Sequence, residues 1–232
     1  MKQPLWILTG PTASGKSDVA FHVARAINAE IISADSMQVY RGMDVGTAKP
    51  PPEARAEVSH HLIDIVEPHE SYSVGRFIRN AREAINNIEC GGKKHLVVGG
   101  TGLYIKALRE GLFSGPEADW ALREELTAVA EERGGAYLHN VLREADPAAA
   151  STIAENDLRR IVRALEVYRK TGRAISTLKQ QWGRDVVGNS VLIVLYRNKK
   201  DLHRRIEQRV DSILDHGLTE EVQRLLSHPK GF

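Results

Sequence analysis

One short segment near the start of the chain, Gly10-Pro11-Thr12-Ala13-Ser14-Gly15-Lys16-Ser17, constrains the fold more than anything else in the sequence. It fits the pattern G-x-x-x-x-G-K-S/T. It follows an apolar, strand-like run, Leu5 to Thr9, and opens a stretch from Ser17 to Ile27 whose Val19, Ala20, Val23, Ala24 and Ile27 recur at helical spacing. Strand, glycine loop and helix in that order make a phosphate cradle. Glycines let backbone N–H groups point inward, and the helix N-terminus adds partial positive charge. Lys16 is a mobile cation for a terminal phosphate, and the Ser17 hydroxyl is a ligand for Mg2+. The loop alone does not choose among ATP, a nucleoside kinase substrate and any other diphosphate.

The alternation of strand and helix continues. Glu30 to Ala34 and His61 to Ile65 read as short strands. Val74 to Ile88 reads as a helix with Phe77, Ile78, Ala81 and Ile85 inward. His95 to Val98 reads as a strand, and a helix follows from Leu103. Residues 41–60 are irregular, with Pro50-Pro51-Pro52 blocking regular structure. This order predicts an α/β fold, a P-loop NTPase-like parallel sheet with helices on both faces. Over 111–188 the strand patterns vanish, and charged helices at Trp120 to Glu132, Ala136 to Glu144 and Asn156 to Lys170 predict an all-helical insertion. A strand at Val191 to Tyr196 and helices at Asp201 to His216 and Thr219 to Leu226 then return to the core. The expected domains are 1–110, 111–188 and 189–232.

The longest apolar run, Val191 to Tyr196, is far below a membrane span, and the first residues carry no signal-peptide pattern. A single cysteine, Cys90, cannot form an internal disulfide and reads as structural. These features predict a cytoplasmic protein without a membrane partner, and nothing demands more than a monomer. Net charge is only +2, so bulk electrostatics do not announce nucleic acid. Basic residues nevertheless cluster at Arg159, Arg160 and Arg163, and at Arg197, Lys199, Lys200, Arg204, Arg205 and Arg209. The bland reading of such runs is a solvated helix face.

Three further segments are expected on the P-loop edge of the sheet. Asp35-Ser36-Met37-Gln38 follows the second strand, where an aspartate can bind magnesium, orient a nucleophile or close an Asx turn. Gly99-Gly100-Thr101-Gly102 offers N–H groups and a hydroxyl at a second strand–helix junction. Gly46-Thr47-Ala48-Lys49-Pro50 brings a lysine toward the same edge. On the helix from Asn156, Leu158, Ile161, Val162 and Leu165 form the apolar face, and Arg159, Arg160 and Arg163 suit phosphates.

The ordered set resembles the bacterial tRNA dimethylallyltransferases. The matching segments are Gly10 to Ser17, Asp35 to Gln38, Gly46 to Pro50, His60 to Asp64, Gly99 to Tyr104 and Asn156 to Glu166, which together reach across nearly the whole chain. The resemblance implies transfer of a dimethylallyl group from dimethylallyl diphosphate to the N6 amine of the adenine 3′ to the anticodon of tRNA. It implies diphosphate on Gly10, Pro11, Thr12, Ala13, Ser14, Gly15, Lys16 and Ser17, with Mg2+ on Ser17 and Asp35 as general base. Asp35, Ser36, Met37, Gln38 and Thr101 would touch the flipped adenine, with Thr101 counted among the catalytic residues. Arg123 and the segment Arg159, Arg160, Ile161, Val162, Arg163 would contact the tRNA anticodon stem-loop. Family members usually continue for several helices beyond Phe232, so the resemblance also implies a truncated chain. The alternatives are a P-loop nucleoside or small-molecule kinase, with the arginine-rich helices as its lid, and a non-catalytic RNA-binding switch.

Overall fold

The computed structural model describes residues 3–111, 115–179 and 189–227. In chain order the elements are β1 (Leu5–Thr9), α1 (Lys16–Ile27), β2 (Ala29–Ser33), α2 (Pro52–Glu57), β3 (His60–His61), α3 (Val74–Cys90), β4 (Lys94–Gly99) and α4 (Gly102–Glu110). There follow α5 (Trp120–Arg133), α6 (Gly135–Ala145), α7 (Pro147–Ala150), α8 (Leu158–Thr171) and α9 (Ile175–Lys179). The described chain closes with β5 (Ser190–Val194), α10 (Lys199–Asp215) and α11 (Leu218–Leu226). It divides into two compact units, Met1–Arg109 with Val186–Phe232, and Glu110–Asp185.

The first unit is an α/β sheet in the order β3-β2-β4-β1-β5, with every pairing parallel. Side chains on a strand alternate between faces, so register fixes what each face buries. Leu8, Ile31, Leu96 and Val98 share a face with Ala20 and Ala24 of α1. Ile7 and Ile32 both pair with Val97 and are fully buried on the opposite face, where α3 supplies Phe77, Ile78, Ala81, Ala84 and Ile88. The Phe77 ring stacks on Tyr104 of α4 at 4.2 Å. Both faces are therefore covered, which a parallel sheet requires. The second unit is all-helical. Leu126, Leu138, Leu142, Ile161 and Leu165 from α5, α6 and α8 form its centre.

Several details differ from the sequence reading. The proline run does not forbid structure. Pro52 sits in the first turn of α2, where its missing N–H costs nothing and its φ already suits a helix. The strand expected over His61 to Ile65 stops at His61, because Leu62 and Asp64 adopt φ of 63° and 56°. Val19 and Val23 of α1 remain 38% exposed, so of the expected stripe Ala20 and Ala24 are buried and Ile27 packs partly buried against them. Cys90, expected to be structural, is exposed at the end of α3. Among the described residues no helix is long and apolar enough to cross a membrane.

Candidate active site

Three strand ends meet on one edge of the sheet. At the end of β1 the chain enters the P-loop. Gly10 has φ 155°, and a Cβ there would meet the Leu195 carbonyl oxygen at 2.7 Å, so only glycine fits. Gly15 is left-handed and opens α1 with no side-chain cap, leaving the first N–H groups of the helix free to face an anion. At the end of β4, Gly99 lies so close to Ala34 that a Cβ would come within 2.2 Å of the Ala34 carbonyl oxygen. That contact brings the Gly99–Thr101 turn directly against the Asp35 segment.

The two segments are then cross-linked. The Thr101 N–H donates to the Ala34 carbonyl at 3.2 Å, and the Ser36 N–H donates to the Thr101 hydroxyl at 3.0 Å. Asp35 Oδ1 accepts the N–H groups of Met37 at 2.8 Å and Gln38 at 3.4 Å, so the Asx turn expected as the bland reading is real. Among the described residues no hydrogen bond engages Asp35 Oδ2, and that oxygen is available to a proton. Met37 is exposed, whereas the Gln38 amide is tied to Ser33, Thr47 and Ala48.

Lys16 Nζ donates to the carbonyls of Gly10 and Pro11, each at 2.8 Å. Burial holds its amine below the usual lysine value. The Asp35 carboxylate partly offsets this, and Arg209 adds to it. Lys16 and Asp35, from different strand ends, are thus electrostatic neighbours. Ser14 is 3% exposed and its hydroxyl has no hydrogen-bond partner among the described residues. A buried orphan donor inside an N–H-lined loop is what an absent phosphate oxygen would satisfy. Ser17 borders a small cavity of about 30 Å3 shared with Gln38, Pro50 and His60. Among the described residues no group of three or more His, Cys, Asp and Glu side chains gathers to hold a metal ion.

The arginines sort differently from their sequence reading. Arg197, just past β5, donates to the Ser14 carbonyl at 2.8 Å, and Arg205 on α10 donates to the Ala13 carbonyl at 2.8 Å. Two members of a run read as a solvated face thus brace the P-loop through its carbonyls. The only signal in the sequence was the return of a strand before them, since a strand joining the same parallel sheet delivers its C-terminal end to the same edge. Lys49 also changes role. Its amine is buried against the Tyr40 carbonyl, Asp44 and Asp64, so it locks its loop and is not free for phosphate.

In the helical unit, Glu166 is fully buried. Burial raises its pKa, but hydrogen bonds from Arg123, the Asp119 N–H and Arg163 outweigh that and hold the carboxyl below the usual range. Arg123 grips it through Nε at 3.0 Å and Nη2 at 2.9 Å, and Arg163 adds a further bond. Arg163 also donates to the Pro116 carbonyl at 3.0 Å. The expected trio therefore divides: Arg159 and Arg160 are exposed, while Arg163 is turned to Glu166. Ile161 is completely buried and Val162 is 6% exposed, so both side chains pack into the core of this unit, Val162 at its edge. A groove of about 780 Å3 runs along α5 and α8, lined by Trp120, Arg123, Thr127, Glu131, Arg159 and Val162. Arg123 also lies over the Trp120 ring at 5.0 Å.

Comparison with known proteins places this geometry in a lineage. The IPP transferase family matches residues 38–231, and an isopentenyl transferase family matches residues 3–63. The tRNA dimethylallyltransferase of Thermodesulfovibrio yellowstonii is 48% identical over 227 residues, covering 98% of this chain and 72% of the relative. That of Thermotoga neapolitana is 48% identical, covering 95% and 72%. Among solved structures, a eukaryotic dimethylallyltransferase acting on tRNA superposes with a TM-score of 0.82 at 30% identity, covering 99% of this chain and 58% of that one. The full-length tRNA isopentenylpyrophosphate transferase of Bacillus halodurans gives 0.65 at 40% identity, covering 97% and 70%. The chain therefore belongs to the IPP transferase family, the tRNA dimethylallyltransferases.

Proposed function

We propose that this enzyme transfers the dimethylallyl group of dimethylallyl diphosphate to the exocyclic N6 amine of the adenine 3′ to the anticodon of a tRNA. The observation that carries the reading is the meeting of Lys16, Asp35 and Thr101 at one sheet edge, with an unsatisfied Ser14 hydroxyl in the cradle. The P-loop N–H groups, Ser14 and Lys16 would hold the diphosphate, while Arg197 and Arg205 keep the loop carbonyls turned away from it. Magnesium on Ser17 would neutralise charge on the departing diphosphate. A base inside the anticodon loop reaches such a pocket only by leaving its stack.

The amine nitrogen forms a bond to C1 of the allyl group as the C1–O bond breaks, and the electron pair leaves with diphosphate. A carboxylate is too weak a base to deprotonate a resting aryl amine. The nitrogen becomes cationic and acidic as the new bond forms, and Asp35 Oδ2 then accepts its proton. Most of the acceleration would be electrostatic, through donors already aimed at the leaving group. ATP is not consumed, and the same cradle serves a diphosphate in place of a γ-phosphate. In the helical unit, the exposed Arg159 and Arg160 and the Trp120 groove are the surface proposed for the anticodon stem-loop.

Diphosphate release tests the reading. With magnesium and dimethylallyl diphosphate, release should require tRNA bearing the unmodified adenine, and ATP should give none. ATP turnover with a small acceptor and without tRNA would restore the kinase alternative.

A further inference from the structure

The loop 43–48 forms neither helix nor strand, yet two of its carbonyls set the orientation of Gln38. Gln38 Nε2 donates to the Thr47 carbonyl at 3.3 Å and the Ala48 carbonyl at 3.4 Å, and its Oε1 accepts from the Ser33 hydroxyl at 3.0 Å. The Gln38 N–H in turn ends on Asp35 Oδ1. One side of the loop is tied down by Lys49, through Asp44 and Asp64. The other side is held by a residue far away in sequence. Glu221 of α11 is 5% exposed, and its carboxylate accepts three successive N–H groups: Asp44 and Val45 on Oε2, each at 2.7 Å, and Gly46 on Oε1 at 3.0 Å. One turn on, Arg224 donates to the Gly42 carbonyl at 3.3 Å.

Three converging N–H groups on a buried carboxylate are short, charge-assisted bonds, and an amide cannot replace them, because it offers one acceptor and two donors to a site made only of donors. From Glu221 through the loop to Gln38 and Asp35, each step is a hydrogen bond or one stretch of backbone.

We propose that Glu221 is a positioning residue for the reaction. It fixes the Asp44–Gly46 backbone, so that Thr47 and Ala48 hold the Gln38 amide and the Asp35–Gln38 wall stays in the register that receives the acceptor base. The proposal rests on the reading of Asp35 to Gln38 as that wall. A carboxylate that served stability alone would weaken every property of the enzyme together. A positioning carboxylate separates them, because the P-loop is braced independently by Arg197 and Arg205.

The test is a double-mutant cycle on the full chain with Glu221→Gln, Gln38→Ala and the combined variant, measuring kcat and KM for tRNA and the affinity for dimethylallyl diphosphate. The expected result is a loss of roughly tenfold in kcat/KM for tRNA in each single variant, the scale of one misplaced hydrogen-bonding group. Diphosphate affinity should stay within about twofold of the parent, and the double variant should be no worse than the weaker single, the non-additivity of groups acting as one unit. If Glu221→Gln does not fold, Glu221→Asp, which keeps the charge on a shorter arm, enters the same cycle. Additive losses, or a parallel fall in diphosphate affinity, overturn the positioning role while prenyl transfer by the parent stands. A parent chain that transfers no prenyl group removes the reading on which the proposal rests.

Discussion

The side chains that matter most for this molecule are charged groups taken out of water, and their partners decide their roles. Glu166 has two arginines and one N–H on its carboxylate. Glu166→Ala strands Arg123, Arg163 and the Asp119 N–H, and should destabilise the helical unit by about 3 kcal/mol, measurable by denaturant unfolding. Its folded pKa is depressed, so its contribution is fully present above the unfolded value of ~4.3 and is lost as pH falls through the lower folded value. Glu166→Gln should therefore flatten the acid side of the stability profile. At the P-loop, Arg197→Ala removes the donor to the Ser14 carbonyl and should raise the KM for dimethylallyl diphosphate by about tenfold, the value of a hydrogen bond to a charged group. Such roles were only partly legible in the sequence. The Gly10 to Ser17 pattern names its loop because spacing alone dictates the geometry. Arg123 and Lys49 name nothing, because whether a cation meets a ligand or a buried carboxylate depends on residues distant in the chain, here Glu166 and Asp64.

At the scale of elements, hydrophobic periodicity specified the sheet and its helices well, because β1, β4, α3 and α8 are long or strongly patterned. What it missed followed from backbone conformation. Pro52 reads as a breaker inside a run, yet it begins α2, and the positive φ of Leu62 and Asp64 ends β3 after two residues. The faces of α1 were harder still, since Val19 and Val23 match the periodicity but stay 38% exposed. The packing between α3 and the sheet makes its own test. Phe77 is fully buried and stacked on Tyr104, so Phe77→Ala should cost about 3–5 kcal/mol of stability, read from the unfolding midpoint. Burial also pushes the Tyr104 phenol up, so it stays protonated throughout the working range and serves packing.

For the whole molecule, membership of the tRNA dimethylallyltransferases and a parallel sheet with a P-loop at its edge are consistent with the proposed chemistry, in which a diphosphate would leave and Asp35 would take the proton of an acidified amine. The most direct measurement is on the product. The enzyme is incubated with magnesium, dimethylallyl diphosphate and a tRNA with an unmodified adenine 3′ to its anticodon, and the RNA is digested for mass spectrometry. One added C5H8 on that adenine, absent with Asp35→Ala while that variant still binds the diphosphate, is the expected result. An unmodified adenine with the parent enzyme, or undiminished transfer by Asp35→Ala, would contradict the account.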